Sequence, residues 1–255
     1  RPECIIFVGK ACHMIQRIVI IPTYNEIENI RQIIQAVFHL SMDFHVLIVD
    51  DGSPDGTAAA VKSMQQEFSE RLFLEERSGK GGLGTAYIHG FKWCLARNYT
   101  HIFEMDADFS HPVKDLENLY KACEKGADLS VGSRYKKGIN VVNWPLHRIL
   151  ISYGASIYVK LITGMRVQDP TAGFVCYTRK VLEAISLDRV QFVGYAFQIE
   201  MKFRAHVLGF KIEEVPIVFK DRERGKSKMS ADIVGEAILG VLKLKWQSMF
   251  NHKNF

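Results

Sequence analysis

The order in which strand-type and helix-type patterns alternate constrains this chain more than any single motif. Ile18–Ile21 is a β-rich run that ends at Pro22, and Glu26–Leu40 follows with Ile27, Ile30, Ile33, Ile34 and Val37 at helical spacing. Strand patterns recur at His45–Val49, Arg71–Glu75, Thr100–Met105 and Asp128–Gly132. Helical patterns at Thr57–Phe68, Gly84–Arg97 and Pro112–Glu124 lie between them. Strands separated by helices of that length predict βαβ units and a mostly parallel central sheet flanked by helices, an α/β fold. Past Tyr135 the alternation breaks down. Asn143–Met165 reads as an amphipathic helix with Trp144, Ile149, Leu150, Ile157 and Leu161 among its apolar positions. Phe174–Tyr177 and Ile212–Val218 read as strands, Val181–Ile185 and Ala196–Leu208 as helices. Ser230–Phe250 is a last amphipathic helix, with Ile233, Ala237, Val241 and Leu244 sharing a face with Ile238 and Leu242.

Composition narrows the classes. The chain is 47% hydrophobic over 255 residues, enough for the core of one large domain with a short appendage or of two small ones. Five cysteines without a CxxC pair argue against a disulfide framework or zinc knuckle and for a reducing compartment. A net charge of +5 suits a phosphorylated ligand or an anionic membrane surface and does not single out nucleic acid. A membrane span needs about 20 apolar residues in a row; the best run, Ile149–Val159, is shorter and bounded by Arg148 and Lys160. Residues 1–13 lack a clear apolar h-region and read as a non-essential extension before Met14.

Three of the early strands end in polar clusters: Pro22-Thr23-Tyr24-Asn25-Glu26, Asp50-Asp51-Gly52-Ser53 and Asp106-Ala107-Asp108. Open parallel sheets bind ligands beyond the carboxyl ends of their strands, where strand order reverses, so the three clusters can meet in one crevice. Asp106 and Asp108 are two apart, and in extended chain both carboxylates point the same way. Two such carboxylates repel unless a cation lies between them, which Mg2+ or Mn2+ with a diphosphate would satisfy. A lone DxD equally makes a surface turn that caps the helix after Pro112. Asp50-Asp51 has the same two readings, contact to a base or ribose or a cap for the Thr57 helix. SGKGGLG lacks the GK[ST] ending of a P-loop and the GxGxxG spacing, which disfavours ATPase and dinucleotide readings. Basic residues mark the second half: Arg134 in Gly132-Ser133-Arg134-Tyr135, Arg148 on the amphipathic helix, and the run Asp221–Lys228. Arginine and lysine supply charge-assisted bonds to phosphates, although charge runs are as a rule solvated faces.

Taken together, IPTYNE, VDDGSPDGT, GLGTAYIHG, MDADFSHP, GSRY and EVPIVFKDRERGKSK resemble the dolichyl-phosphate (polyprenyl-phosphate) mannosyltransferases, family-2 glycosyltransferases of the GT-A fold. The resemblance runs in order from Ile18 to Lys228 and implies a catalytic domain over 14–228 followed by a C-terminal amphipathic helix over 229–255. It implies inverting transfer of mannose from GDP-mannose to a polyprenyl phosphate with Mg2+ or Mn2+. Carried over by motif, Pro22, Tyr24, Glu26, Val49 and Asp51 are expected at the nucleotide. Asp106, Ala107 and Asp108 are expected at the metal and diphosphate, Arg134, Arg222 and Lys228 around the diphosphate, and Arg148 near the acceptor phosphate. Asp108, Arg134 and Arg222 are the expected catalytic set.

Two departures bear on this. Ser110 stands where some relatives have a metal-binding Gln, so the metal shell relies more on water. Ser152-Tyr153-Gly154-Ala155 stands where relatives often read SRGA, which removes a positive charge on the acceptor side. Some members carry membrane helices after the catalytic domain; a short form must reach lipid by an amphipathic surface or a membrane-anchoring partner. The expected place is cytoplasmic, peripheral on the cytoplasmic face of a membrane. The Ser230–Phe250 helix, with Lys243, Lys245 and Trp246, either lies in the interface or packs its apolar face on the core. The rival readings are a family-2 transferase with another nucleotide sugar and a hydroxyl acceptor, which would need a carboxylate base, a sugar-nucleotide nucleotidyltransferase, and a non-catalytic nucleotide-binding subunit.

Overall fold

A computed structural model of the chain describes residues 16–194, 196–221 and 231–250, the side chains of 231–238 excepted. The first half alternates as its sequence predicts: β1 (Arg17–Thr23), α1 (Ile30–Phe38), β2 (His45–Asp50), α2 (Thr57–Gln65), β3 (Leu72–Glu76), α3 (Leu83–Leu95), β4 (His101–Glu104), α4 (Asp115–Glu124) and β5 (Leu129–Ser133). The second half holds β6 (Val141–Val142), α5 (Leu146–Thr163), β7 (Val175–Thr178), α6 (Arg179–Ala184), α7 (Ala196–Val207), β8 (Ile212–Pro216), β9 (Phe219–Lys220) and α8 (Ala231–Phe250). Seven strands form one sheet in the order β3-β2-β1-β4-β7-β5-β8, and β6 pairs with β9 apart from it. All neighbours in the large sheet are parallel except β7, which runs antiparallel between β4 and β5. From β1 the chain builds outward to β2 and β3, then returns to place β4 on the other side of β1. The strand order reverses there, so a crevice opens where β1, β2 and β4 end.

The alternation along β1 explains the layers. Ile18 and Ile20 pack with Tyr87, Phe91, Phe197 and Phe203 on one face, and Val19 and Ile21 pack with Ile33, Ile34, Val37 and Leu119 on the other. A strand buried on both faces must be apolar at every position, which is why IVII is continuous rather than alternating. Each such side chain contributes about 1.5–3 kcal/mol by burial, so this sheet is the rigid base on which the polar loops sit.

Several predicted bounds move. The helix expected from Glu26 begins at Ile30, because the residues before it form turns tied to the next loop. Pro112 precedes its helix by three residues, and Pro145 delays α5 to Leu146. The two short strands β6 and β9 carry no period in the sequence. The largest departure is the facing of α5. Leu146, Leu150, Ile151, Ile157 and Leu161 are exposed, whereas Ser156, Val159 and Thr163 are buried. On α8, Val241 and Leu244 are buried as expected, but Leu242 shares the outer surface with Leu239, Trp246, Met249 and Phe250. Cys94, Cys123 and Cys176 are free and buried, in keeping with the absence of a disulfide framework among the described residues.

Candidate active site

The first two polar clusters are stitched into one structure. Thr23 stands opposite Asp50 in the β1–β2 register, and its hydroxyl donates to the Asp50 carboxylate at 2.8 Å. Asp50 also accepts from the Ser53 amide at 2.8 Å and the Ser53 hydroxyl at 2.6 Å, which closes the DDGS turn. Gly52 takes φ +70° in that turn, a conformation that a side chain would strain. The Asn25, Glu26 and Ile27 amides donate to Ser53 Oγ, Thr57 Oγ1 and Asp55 Oδ2 respectively. The N-cap of the Thr57 helix is Gly56, and Asp55 before it accepts from the Thr57 amide at 3.0 Å, so the Asp50-Asp51 pair does not cap that helix. Asp50 builds the turn, and Asp51 turns instead to the glycine-rich loop.

Asp51 is buried beside Arg77, 3.1 Å away, and accepts from the Gly81 amide at 3.3 Å. Burial raises its carboxyl above the usual range, with the Arg77 charge opposing. Lys80 sits over the Tyr24 ring at 5.0 Å, so the glycine-rich loop closes onto the first two polar clusters. Close approach explains part of that loop's composition: a Cβ on Gly84 would lie 2.7 Å from the Phe192 carbonyl and 2.8 Å from the Phe197 ring. Pro22 and Val49 are partners in the β1–β2 register. Val49 is wholly buried and backs the site with its side chain in the core.

At the end of β4, Asp106 is half-buried and Ala107 and Asp108 are buried. Phe109 takes φ +61°, which turns the chain so that Ser110 donates its amide to Asp108 at 3.1 Å. The Asp106 amide donates to His111 Nδ1 at 3.2 Å. His111 is buried and stacked on Phe174. Burial lowers its pKa to about 4, the Asp108 charge opposing, so the ring is neutral at physiological pH and accepts that bond. The same ring lies in the field of Asp108, Arg134 and Asp169, which places the DxD turn beside the end of β5.

Arg134 follows β5 and is 8% exposed, while Asp169 is fully buried. Nε and Nη2 of the guanidinium donate to the two Asp169 oxygens at 2.7 and 2.6 Å, and the Arg134 amide adds a third bond at 2.9 Å. Nη2 also donates to Thr171 Oγ1 at 2.7 Å. Burial alone would raise the Asp169 carboxyl, but the Arg134 charge and these bonds outweigh it and hold it below the usual range. The guanidinium is surrounded by the rings of Tyr135, Trp144 and Phe219. Across Trp144 lies Arg148, 4.1 Å from that ring and bound to both Asp221 oxygens at 2.9 Å. Asp169, His111 and the Glu214 carboxylate that anchors residues 168 and 169 are supports that sequence reasoning missed. The QDPTAG turn was the one available signal, and it carries no hint of its partner 35 residues away. Arg222 and Lys228 lie outside the described residues.

Residues Asp106 and Asp108 offer hard oxygen ligands, and the buried Ser110 hydroxyl beside them makes no hydrogen bond. A pair of hard carboxylate ligands fits Mg2+ or Mn2+ in donor chemistry. No group of three or more His, Cys, Asp or Glu residues could hold a metal among the described residues, so such an ion would draw on ligands from outside the side chains.

Comparison with known proteins agrees with this arrangement. The description "Glycosyl transferase family 2" matches residues 18–186. The polyprenol monophosphomannose synthase of Mycolicibacterium smegmatis is 46% identical over 224 residues, 88% of this chain and 84% of that protein. The undecaprenyl-phosphate mannosyltransferase of Micrococcus luteus is 43% identical over 234 residues, 90% of this chain and 96% of that protein. Among solved structures, glucosyl-3-phosphoglycerate synthase from Mycobacterium tuberculosis, in complex with Mn2+, UDP and glucosyl-3-phosphoglycerate, superposes with a TM-score of 0.62 at 17% identity, over 91% of this chain and 80% of that one. A mannosyltransferase from Pyrobaculum calidifontis in complex with GDP-Man and Mn2+ gives a TM-score of 0.56 at 17% identity, over 92% of this chain and 74% of that one. The sheet order, the crevice at the ends of β1, β2 and β4, and these matches agree: the chain belongs to glycosyl transferase family 2, has the GT-A-like α/β fold, and is a glycosyltransferase.

Proposed function

We propose that the chain transfers mannose from GDP-mannose to a polyprenyl phosphate with inversion at the anomeric carbon, using Mg2+ or Mn2+. The observation that carries this is the meeting of Asp108, His111 and the Asp169-anchored Arg134 beyond the ends of β4 and β5. The names of the two relatives above 40% identity support mannose and a polyprenol-type acceptor. Asp51, Tyr24, Glu26 and Pro22 would hold the nucleotide, with Val49 and Ala107 backing it. Asp106 and Asp108 would hold the metal, which when bound offsets the negative charge of the departing diphosphate. Arg134 places a fixed positive charge beside the same diphosphate, as does Arg222 in the motif reading, with Lys228 nearby. Because Asp169 holds Arg134 before substrate arrives, its charge needs little reorganisation during reaction.

The acceptor's own ionisation removes the need for a protein base. A phosphate monoester has a second pKa of about 6 and is largely ionised at neutral pH. Its oxygen attacks the anomeric carbon as the bond to GDP breaks, and Arg148 would orient it. Lipid access has a physical basis in the outward apolar positions of α5 and α8. Leu146, Leu150, Ile151 and Leu161 with Leu239, Leu242, Trp246, Met249 and Phe250 make two exposed apolar stripes on helices that touch each other. A face of that kind suits a peripheral seat on a membrane, proposed as the cytoplasmic leaflet, or a membrane-anchoring partner. No helix among the described residues is long and apolar enough to cross a membrane.

The test is incubation of purified protein with Mn2+, radiolabelled GDP-mannose and a short polyprenyl phosphate in detergent, followed by organic extraction. EDTA-sensitive label in an alkali-stable, acid-labile lipid is the expected result. Turnover with a UDP-sugar and none with GDP-mannose would overturn the donor assignment.

A further inference from the structure

Helix α7 is buried on every side, and four of its buried residues are polar: Gln198, Glu200, Lys202 and Arg204. Glu200 and Arg204 pair with each other, and Glu200 also accepts from the Gln191 and Phe192 amides. Lys202 is different. It is fully buried opposite Glu104, the last residue of β4 and likewise fully buried, yet its hydrogen bonds do not go there. Nζ donates to the Ala172 carbonyl at 2.6 Å, to the Gln198 carbonyl at 3.0 Å and to Gln198 Oε1 at 3.3 Å. That uses all three ammonium hydrogens. Both Glu104 oxygens lack a well-formed hydrogen bond, although Lys202, Gln198 and Tyr177 surround them.

Lys202 faces Glu104 through its charge, which opposes the upward push of burial on that carboxyl, while one of its three directional bonds reaches the segment 168–172 and two go to Gln198. The Gln168 and Asp169 amides donate to the Glu214 carboxylate on β8, both at 2.9 Å, and the Ala172 carbonyl accepts from Lys202. The segment is gripped by an anion at one end and a cation at the other, and between the two grips sits Asp169 with Arg134 in its fork. Lys202 lies in the electrostatic field of Glu104, Asp169 and Arg134.

We propose that Lys202 is a positioning residue for the donor site: it fixes the 168–172 segment so that Asp169 aims the Arg134 guanidinium at the diphosphate. This rests on the reading of Arg134 as a diphosphate contact. Removing Lys202 alone would take away the positive charge that offsets the burial of the Glu104 carboxyl and threatens folding. The informative variant therefore neutralises both partners, Glu104→Gln with Lys202→Met, in the wild-type background and in an Arg134→Ala background. Thermal unfolding, calorimetric binding of GDP with Mn2+ and steady-state transfer are measured on all four proteins. The neutral pair is expected to melt within a few degrees of wild type, to bind GDP about 10-fold more weakly, and to lose about 10-fold or more in kcat with KM for the lipid within twofold, since small misplacements of a fixed group are costly. In the Arg134→Ala background the same pair is expected to cost less than twofold, because its effect runs through the missing side chain. A purely structural lysine would give equal losses in both backgrounds, and that result overturns the proposal. Glu104→Gln with Lys202→Gln restores one donor towards Ala172; it is expected to recover at least threefold of the binding, and a recovery of nothing also overturns it. Wild type that fails to bind GDP with Mn2+ overturns the donor reading and this inference with it. Wild type that binds, with every variant matching it, overturns the inference alone.

Discussion

Replacing Asp169 by Asn tests the anchored arginine directly. The carboxylate is fully buried and takes three hydrogen bonds from Arg134, two from the guanidinium and one from the amide. Asparagine has the same shape but offers one oxygen, and its amide NH2 must face a donor whichever way it is turned. At least one charge-assisted bond is lost, at about 1.5–3 kcal/mol, and Arg134 becomes a buried cation without its counter-charge. Breaking a buried pair from one side costs about 3–5 kcal/mol, so the loss of stability is expected near the lower half of that range, the Thr171 bond remaining. Urea unfolding at pH 7 measures it; with a slope of about 1–3 kcal/mol per molar the midpoint falls by about 1–4 M. A loss under about 1 kcal/mol would refute the claim that this pair is structurally tight.

The pH dependence gives the sign independently. The folded carboxyl of Asp169 lies below its unfolded value of about 3.9. Its stabilisation is therefore fully present above pH ~4 and is lost as pH falls through the folded pKa. The stability gap between wild type and Asp169→Asn should be flat from pH 5 to 8 and close only below about 4. A gap that narrows between pH 8 and 5 would mean that another group, not Asp169, carries the effect. On activity, freeing Arg134 is expected to lower kcat by about 10²–10³, the cost of losing one fixed transition-state donor.

Other expectations are briefer. Asp108→Asn should abolish metal-dependent turnover, with a loss of about 10²-fold or more; retained EDTA-sensitive activity in that variant would remove its assigned role. Arg148→Ala should raise KM for the polyprenyl phosphate about 10-fold while leaving KM for GDP-mannose within twofold, as one charge-assisted contact of about 1.5–3 kcal/mol is lost; equal rises in both would argue for misfolding around Trp144 instead. Gly84→Ala places a Cβ 2.7 Å from the Phe192 carbonyl and should cost about 1–3 kcal/mol, whereas Gly154→Ala, with open space around it, should be neutral by thermal unfolding. Leu150→Glu with Leu242→Glu should cut sedimentation with anionic liposomes and leave the melting temperature unchanged, because both side chains are already exposed; undiminished liposome binding would move the lipid face elsewhere.

The first half of the fold was legible because burial on both sides of a parallel sheet leaves a plain record. Ile18–Ile21 and His45–Val49 must be apolar throughout, and the polar residues after them have nowhere to go but the crevice. The switch between β1 and β4 then brings three motifs together without any information beyond their order. The second half was less legible for physical reasons. β7 pairs antiparallel between β4 and β5, so the helix-strand rhythm that reports parallel crossovers says nothing about it. The amphipathic pattern of α5 was read correctly as a pattern, but periodicity alone does not say which face meets protein, and here Ser156 and Thr163 face inward while Leu150 and Leu161 face out.

The supports of the site were the least legible part, and the reason is general to buried polar groups. Arg134 was singled out because a basic residue after a strand is a signal in one dimension; Asp169, Lys202 and Glu214 matter only through distances that sequence does not contain. Sequence reading treated Ala196–Leu208 as one more helix. Its buried polar face carries instead a cost that apolar residues would avoid. Lys202 at this position brings one ammonium that faces the Glu104 carboxyl and holds the Ala172 carbonyl, with Arg134 two contacts away. Stability alone would favour a leucine or methionine there, since well-packed apolar replacements of buried ions are often neutral or stabilising. If Arg134 meets the diphosphate as proposed, a guanidinium held through Asp169 accounts for a lysine in the middle of a hydrophobic core where stability does not.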